Sequence, residues 1–191
     1  DDLKRPKMFV FGGVKVKALL ELIEISLYEK SIDKILLSGA LGELALISRG
    51  YSLGKKEKIL KKLNLLGHVE KIGELIKEYP DIFMFPSDVA IFDGEKRIEL
   101  DVRDFDLNTE LINKYEISDI GMKTVNLYEE TLKDAESIYF KGPAGNFEKE
   151  EFEKGSKELI RVITSSNAFS FMGGGHSTLA AKMFNMIKQF S

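Results

Sequence analysis

The sequence predicts a single α/β domain with three layers, in which helices cover both faces of a mostly parallel sheet. Two features indicate this arrangement. Short apolar, strand-like runs alternate with segments of helical periodicity along the 191 residues, and glycine follows several of these runs. Alternating strands and helices form βαβ units, whose parallel strands are buried on both faces. Because no internal repeat, low-complexity segment or linker interrupts the pattern, we expect one Rossmann-like α/β/α domain over residues 1–191.

The first half of the chain predicts two strands and three or four helices. The runs MFVF at 8–11 and KILL at 34–37 are strand-like, and small residues follow each. The first strand precedes a helix whose apolar residues recur on one face, namely Val16, Leu19, Leu20, Ile23 and Leu27. The second precedes a helix over 41–48, for which Gly50 is a suitable terminator. The charged, periodic residues 55–78 predict one or two further helices.

The second half predicts a small antiparallel hairpin and then a return to alternation. Five runs are strand-like: IFMF (82–85), DVAIF (88–92), RIELDV (97–102), SIYF (137–140) and FSFM (169–172). Asp93-Gly94 separates the second from the third and is a strong hairpin signal. Three helical stripes follow: Val125, Tyr128, Leu132 and Ala135; Phe152, Leu159, Ile160 and Ile163, on a helix from about Glu148; and Leu179, Met183, Met186, Ile187 and Phe190 on the closing helix.

Composition excludes several classes of protein. Hydrophobic residues make up 43% and charged residues 31% of the chain, which is typical of a soluble globular protein. With 28 basic and 31 acidic residues and no dense basic block, we expect no nucleic-acid partner. The absence of cysteine excludes disulfides and thiolate metal sites. No apolar run approaches the roughly 18 residues that would span a bilayer, and DDLKRPK is unlike a signal peptide, so we expect no membrane association and a cytoplasmic protein.

Small residues collect at the carboxyl ends of four predicted strands. They are Gly12-Gly13, Ser38-Gly39-Ala40, Gly142-Pro143-Ala144-Gly145 and Gly173-Gly174-Gly175. Ligands of parallel α/β sheets bind at this edge, and glycine lets them approach the main chain closely. Where a helix begins directly afterwards, its N–H groups and dipole favour an anion such as phosphate. A single glycine pair such as Gly12-Gly13 is equally consistent with a simple turn, whereas the triple glycine, and the four junctions taken together, favour a ligand. The glycines therefore predict phosphate or nucleotide binding. Neither the P-loop motif G-x-x-x-x-G-K-[ST] nor the dinucleotide-binding motif G-x-G-x-x-G is present, so the site is of neither of these two kinds.

Two charged residues near these glycines have two interpretations each. Lys15, in the predicted first turn after Gly13, is suited to hold a point charge against phosphate oxygens, but it is also consistent with a solvated surface lysine. Glu148, after GPAGNF, is suited to accept hydrogen bonds from a ribose diol, or only to complement a helix dipole.

Six stretches of the chain, in this order, resemble the C-terminal, nucleotide-binding half of phosphoglycerate kinase. They are RPKMFVFGGVKV (5–16), ILLSGALGELALISRGYSLG (35–54), FPSDV (85–89), DIGMKT (119–124), IYFKGPAGNFEKEEFEKGSK (138–157) and FSFMGGGHST (169–178). The resemblance covers nearly the whole chain. Its most specific block is GP-x-G-x-FE-x-x-x-F-x-x-G-[ST]-K, and the GGGH variant of the triple glycine is similar to the archaeal branch of the family.

The resemblance implies phosphoryl transfer between ATP and the carboxylate of 3-phosphoglycerate, with Mg²⁺. Gly39, Ala40 and Phe85 would line the adenine pocket, and Glu148 would bind the ribose hydroxyls. The nucleotide and its phosphates would be bound by Gly12, Gly13, Lys15, Lys141, Gly142, Pro143, Gly145, Gly173, Gly174, Gly175, His176, Ser177 and Thr178. Gly173 to Gly175 would offer a helix N-terminus to the phosphoryl group in flight, and Lys15, Gly174 and Gly175 would be the catalytic residues.

Four positions depart from the family pattern. His176 replaces a common aspartate that contacts magnesium, so we expect His176 to donate to phosphate and the ion to be held mainly by the nucleotide and water. Leu19 replaces a second lysine that many members carry. Lys141 replaces the asparagine before the GP dipeptide, and Ala40 narrows the adenine pocket because it replaces a glycine.

The resemblance also implies that the 3-phosphoglycerate-binding N-terminal domain lies outside this sequence. We therefore expect the 191 residues to bind ADP or ATP weakly and to transfer nothing by themselves. Two other interpretations stay open. A regulatory or scaffold module would bind nucleotide without catalysis, and a purely structural domain would have no nucleotide affinity.

Overall fold

The computed structural model describes residues 3–191, within which the chain has eight β-strands and eight α-helices. The strands are β1 (Lys7–Phe11), β2 (Lys34–Leu37), β3 (Phe83–Met84), β4 (Asp88–Phe92), β5 (Arg97–Asp101), β6 (Asp119–Ile120), β7 (Ser137–Lys141) and β8 (Phe169–Gly173). The helices are α1 (Val16–Tyr28), α2 (Gly39–Ser48), α3 (Lys55–Lys62), α4 (Val69–Glu78), α5 (Thr109–Lys114), α6 (Met122–Leu132), α7 (Glu153–Ser165) and α8 (Gly175–Met183). None of the helices within residues 3–191 combines the length and the apolar character that a membrane crossing needs.

Five strands form a parallel sheet in the order β3-β2-β1-β7-β8. Successive side chains of a strand point to opposite faces. On the central strand β1, Phe11 packs under α1, α2 and α4, whereas Met8 and Val10 pack under α6, α7 and α8. Burying each of these side chains stabilises the fold by about 1.5–3 kcal/mol. The predicted three-layer α/β/α architecture is thereby confirmed.

A separate antiparallel sheet contains the predicted hairpin. Its strand order is β5-β4-β6, and β4 and β5 pair antiparallel. The turn forms because the Asp93 side chain accepts hydrogen bonds from the N–H groups of Glu95 and Lys96, each at 2.9 Å, and Gly94 adopts a φ of +103°. The hairpin prediction is confirmed, and β6 is an addition to it.

The closing helix differs from its prediction. The helix α8 ends at Met183, and the chain then turns at Asn185, whose φ of 58° is left-handed. Leu179 and Met183, expected to face inward, are 41% and 45% exposed. The buried positions of α8 are Ser177, Ala180 and Ala181, whose small side chains let the helix approach the sheet closely.

Several boundaries also differ. The helix expected from Glu148 begins at Glu153, after a 3₁₀ turn over 150–152. The helix α2 begins at Gly39, two residues before its predicted start. The elements α5 and β6 were not predicted, because six and two residues are too few to show a periodicity.

Candidate functional site

The loops after β1 and β7 meet at the carboxyl edge of the parallel sheet and are joined by main-chain hydrogen bonds. The N–H of Gly12 donates to the carbonyl of Lys141 at 2.9 Å, and the N–H of Gly13 donates to the carbonyl of Pro143 at 2.8 Å. These bonds pair donors that the loops would otherwise bury without a partner. The strand ends that the sequence grouped together are therefore brought together in the fold.

Three glycines of this edge are required by the packing of one loop on another. A Cβ on Gly12 or Gly142 would overlap a main-chain oxygen of the facing loop, and one on Gly39 would lie 2.5 Å from the nitrogen of Gly13. Gly39 and Gly142 also have φ values of +51° and +89°, which L-residues rarely adopt. We call Gly12, Gly39 and Gly142 the packed glycines.

Gly174 and Gly175 differ from the packed glycines because both are exposed to solvent. The nearest atom to a Cβ on Gly174 would be Ser177 Oγ at 4.0 Å, and no atom of the described residues lies within 4 Å of a Cβ on Gly175. The helix α8 begins at Gly175, and the N–H groups of a first helical turn have no partner within the helix. We call Gly174 and Gly175 the open glycines; they expose main-chain donors at the positive end of a helix dipole.

Two adjoining pockets lie along this edge. The large pocket, of about 310 Å³, lies between the loops after β1, β2 and β7 and the helix α3. The small pocket, of about 170 Å³, lies between the loops after β1 and β7 and the start of α8. Gly13, Val14, Pro143 and His176 line both pockets. A single elongated ligand can therefore occupy the two together.

The small pocket is suited to an anion. Lys15, the residue that precedes α1, and Lys141, the last residue of β7, line it beside the open glycines. His176, the second residue of α8, adds a side chain with N–H capacity. None of the described residues that line this pocket is an aspartate or a glutamate.

Ser177 fixes the start of α8 against the neighbouring loop. Its buried hydroxyl donates to the carbonyl of Gly173 at 2.8 Å and accepts from the N–H of Gly142 at 2.7 Å. The hydroxyl therefore serves the fold, which leaves the main chain of Ser177 as its part available to a ligand. Thr178 donates to the carbonyl of Gly174 at 3.1 Å and lines neither the large nor the small pocket, so its predicted contact with nucleotide is not supported.

The large pocket combines apolar and carboxylate walls. Gly39 and Ala40, at the start of α2, form one side, with Gly145, Phe147 and Glu148 on the other. Glu148 is exposed. It lies in a turn five residues before α7, not at a helix start as predicted. Its carboxylate is free to accept hydrogen bonds from a ligand.

Sequence reasoning missed the contribution of α3 to the large pocket. Ile59, Leu60 and Leu63 line this pocket, and Leu63 is 50% exposed. The available signal was the apolar pair inside KKEKILKK, a helix that otherwise consists of lysine and glutamate. Apolar residues separated by three or four positions share one helix face, and here that face covers a pocket.

A buried ionic cluster lines the large pocket. Lys56 Nζ lies 3.2 Å from Glu43 Oε1 and 3.3 Å from Glu116 Oε1, and these contacts join α3 to α2 and to the segment after α5. Burial raises the pKa of Glu43, although Lys56 opposes the shift. Burial lowers the pKa of Lys56, but the two carboxylates outweigh it and raise that pKa overall. Glu43 Oε2 is buried without a hydrogen-bond partner among the described residues.

Phe85 lies away from the large and small pockets. Its ring packs 4.0 Å from the guanidinium carbon of Arg49, measured to the ring centroid. It lines a third pocket with Leu46 and Tyr51, near the C-terminal end of α2. The predicted partners of Phe85 lie at the opposite, N-terminal end of this helix. The expectation that Phe85 shares their pocket is therefore not met.

The segments FPSDV and DIGMKT are explained by helix capping. The buried Asp88 carboxylate accepts hydrogen bonds from the N–H groups of Lys123 at 3.0 Å and Thr124 at 2.7 Å, in the first turn of α6. A Cβ on Gly121 would overlap this carboxylate. These residues join the small antiparallel sheet to helix α6, which packs on the parallel sheet. They line neither the large nor the small pocket.

Asp119 packs behind the large pocket, against Gly145 and Gly155. Its buried carboxylate accepts from Arg97 Nη1 at 2.9 Å and from the N–H of Gly155 at 2.7 Å. A Cβ on Gly145 would lie 2.5 Å from its Oδ1. Burial raises the pKa of Asp119 to about 7, although the Arg97 guanidinium opposes the shift.

Comparison with protein families and curated proteins identifies relatives of the whole chain. The family model described as phosphoglycerate kinase matches residues 1–191. The chain is 38% identical over 184 residues to the phosphoglycerate kinase of Methanococcus maripaludis, covering 96% of the chain and 43% of that protein. It is 35% identical over 182 residues to that of Pyrococcus horikoshii, covering 95% and 44%. The chain therefore spans less than half the length of these curated relatives.

Solved structures show the same likeness. The crystal structure of phosphoglycerate kinase from Pyrococcus horikoshii OT3 matches with a TM-score of 0.87 and 34% identity, over 96% of this chain and 45% of that one. The structure of phosphoglycerate kinase from Coxiella burnetii matches with a TM-score of 0.83 and 26% identity, over 100% and 47%. The resemblance seen in the sequence motifs thus extends to the backbone.

Proposed function

This chain belongs to the phosphoglycerate kinase family, and we propose that it is the nucleotide-binding domain of such a kinase. In this proposal it binds MgADP or MgATP for the cytoplasmic glycolytic reaction 1,3-bisphosphoglycerate + ADP ⇌ 3-phosphoglycerate + ATP. A second domain outside this sequence would hold 3-phosphoglycerate. The limited share of the relatives' length that the chain spans, 43% and 44%, supports this division.

The observation that supports the proposal best is the continuity of the large and small pockets. A nucleotide has an apolar, hydrogen-bonding base at one end and an anionic chain at the other. The large pocket offers Ala40, Leu60 and Leu63 to the base and Glu148 to the ribose, and the small pocket offers two lysines to the phosphates. Their shared residues lie where the ribose and the first phosphate would join.

The open glycines would bind the terminal phosphates. Phosphoryl transfer is catalysed mainly by positioning and by fixed donors around the charge that moves. The exposed N–H groups at the start of α8 provide such donors, and Ser177 holds this start against the loop after β7. Lys15 would approach the same phosphates as a point charge. We assign the catalytic contacts of this domain to Lys15, Gly174 and Gly175.

Magnesium would enter with the nucleotide. The described residues that line the small pocket include no carboxylate, the oxygen ligand that Mg²⁺ prefers in proteins. The donor set therefore fits an ion that is bound through phosphate oxygens and water, and when bound it would neutralise part of the phosphate charge. His176 would donate a hydrogen bond to phosphate at the same place, as its position in both pockets supports.

A nucleotide-binding module without catalysis is the second candidate. Leu19 favours it, because this side chain is 1% exposed, packs in the core and lines the small pocket. No cationic group is available at the position where the family resemblance implies a second lysine. Binding alone does not separate the two candidates.

Reconstitution separates them. The chain would be joined to the 3-phosphoglycerate-binding half of the Pyrococcus horikoshii relative, and phosphoryl transfer would be measured by coupled assay. A kinase domain gives turnover that is lost in Lys15→Ala, while the 191-residue chain alone gives none. A chimaera that binds both substrates but never turns over supports the module instead. Turnover by the isolated chain would contradict both candidates.

A further inference from the structure

The large pocket contains a buried carboxylate that the proposed kinase chemistry does not use. Glu43 lies one turn into α2, with its side chain 10% exposed. Lys56 neutralises its Oε1 from 3.2 Å. Its Oε2 has no hydrogen-bond partner among the described residues, although the residue lines the pocket. Buried acceptors are normally paired, so this atom is suited to a donor that a ligand supplies.

We propose that Glu43 binds the Watson–Crick edge of the nucleotide base and makes this site prefer guanine to adenine. The inference rests on the proposed function, since it requires a nucleotide in the two pockets. It assigns to Glu43 the role of a specificity-determining residue.

The position of Glu43 supports contact with the base and not with the phosphates. A carboxylate repels phosphate, and the lysines Lys15 and Lys141 lie in the small pocket. Around Glu43 the large pocket has the apolar side chains of Leu60 and Leu63, which suit the face of a purine. A base inserted between α2 and α3 would therefore approach Glu43 edge-on.

The charge balance of this wall supports guanine. Two carboxylates, Glu43 and Glu116, share one ammonium, Lys56. Glu116 is 38% exposed and open to water, so the acceptor left without a partner on this wall is Glu43 Oε2. Guanine presents two neighbouring N–H donor groups and one carbonyl acceptor on this edge, whereas adenine presents one donor group and one acceptor. Guanine lets Oε2 accept N1–H or the 2-amino group while Lys56 donates to O6.

The alternative role for Glu43 is to anchor α3 through Lys56. Glu116 provides a control for that role because it pairs with the same ammonium at 3.3 Å. Its side chain is 38% exposed, so its carboxylate is hydrated in the free protein. Replacing Glu116 weakens the anchor but leaves the buried acceptor of Glu43 in place.

The test is calorimetric titration of the chain with the magnesium complexes of GDP, ADP and purine riboside 5′-diphosphate, whose base has no N–H on this edge. We expect GDP to bind about 10-fold or more tightly than ADP, and purine riboside diphosphate to bind more weakly than either. In Glu43→Gln, the amide presents a donor where the carboxylate presented an acceptor, so the GDP-to-ADP ratio should fall towards one. Glu116→Gln should keep the ratio of the unsubstituted chain.

Each other result has a separate meaning. Equal binding of the three nucleotides, or tighter binding of ADP than GDP, overturns the role of Glu43 and leaves nucleotide binding intact. An unchanged ratio in a Glu43→Gln protein with native circular dichroism does the same. No binding of any of the three to the unsubstituted chain overturns the proposed function together with the inference. The nucleotide comparison needs no variant, so it is decisive even if Glu43→Gln fails to fold.

Discussion

The packed glycines and the open glycines look alike in the sequence but differ in what surrounds them. A Cβ on Gly12, Gly39 or Gly142 would meet main-chain atoms of a facing loop at 2.5 Å or less, whereas one on Gly174 or Gly175 would meet nothing closer than 4.0 Å. The first set is explained by the fold alone. Gly174 has a φ of +93°, so its conformation also favours glycine, but neither conformation nor packing accounts for the open space around the second set, which we propose a ligand fills.

The comparison confirms one of the two interpretations of glycine in the sequence, and the other stays a prediction. Glycine as a turn and packing residue explains the loops after β1, β2 and β7. Glycine as a residue that exposes main-chain donors to a ligand stays a prediction for the start of α8. The packed set holds the pocket in shape, and the open set lines it without a neighbour of its own.

The largest expected effect is on the packed set. Gly142→Ala should lower the free energy of unfolding by about 3 to 5 kcal/mol, because the new Cβ overlaps the carbonyl of Gly12 and the residue has a φ of +89°. Urea denaturation measures this change. The matched control is Gly175→Ala, which should change stability by about 1 kcal/mol or less. Equal stability of the two variants would remove the distinction between the sets.

A pH effect should follow from Asp119, whose carboxylate packs against Gly145 and Gly155. Its folded-state pKa is raised to about 7 by burial, above the ordinary value near 3.9. The folded state therefore binds more protons between about pH 4 and 7, and stability should fall by about 2 to 4 kcal/mol as the pH rises through this window. Unfolding measured at pH 4 and 7 in the unsubstituted chain and in Asp119→Asn isolates the contribution. The same slope in both proteins would contradict it.

A charge placed in the open set should affect binding and not folding. Gly175→Asp adds a carboxylate at the first position of α8, where helices tolerate or favour acidic residues. Its thermal midpoint should match that of the unsubstituted chain. Affinity for MgADP should fall about 30-fold, or about 2 kcal/mol, because a carboxylate repels phosphate at this position. Gly175→Asn is the neutral control and should lose less. Equal losses in the two variants would mean that bulk, not charge, is responsible.

The smallest expected effect concerns Glu148, which is exposed and lines the large pocket. Glu148→Ala should weaken MgADP binding by about 1 kcal/mol, the usual contribution of such a hydrogen bond, and leave stability unchanged. Glu150→Ala, in the exposed turn that follows, is the control. Calorimetry with 2′-deoxy-ADP completes the test, since loss of the ribose contact should make the variant and the unsubstituted chain bind it alike.

Local sequence signals predicted the elements that form the edge. The strands β1, β2, β7 and β8 were placed within one residue at each end, because apolar runs bounded by small or polar residues are local signals. The short strand β6 was missed because it depends on pairing with β4, where Val89 lies opposite Ile120. The closing helix was extended too far because Met186 and Phe190 continue the apolar period, although they reach the core only after the turn at Asn185.

The site was predicted less completely than the fold. Its glycines and Glu148 were found because strand ends and motifs are visible in one dimension. The pairing of Glu43 with Lys56 was not predicted, because it is a contact between the helices α2 and α3 that the periodicity of neither helix shows. Phe85 was misplaced for the same reason. Phe85 and the pair Gly39-Ala40 each follow a strand of the parallel sheet, but the sequence does not show that they lie at opposite ends of α2.

Amide shifts on nucleotide binding test the central claim, that the open glycines face the phosphates, most directly. The isotope-labelled chain would be titrated with MgADP and followed by two-dimensional ¹H–¹⁵N correlation spectra. We predict saturable shifts that are largest at Gly174, Gly175 and His176 and smaller at Gly12 and Gly39, whose N–H groups already donate to protein carbonyls at 2.9 and 3.0 Å. Saturable shifts confined to other parts of the chain, or none at millimolar nucleotide, would contradict the account.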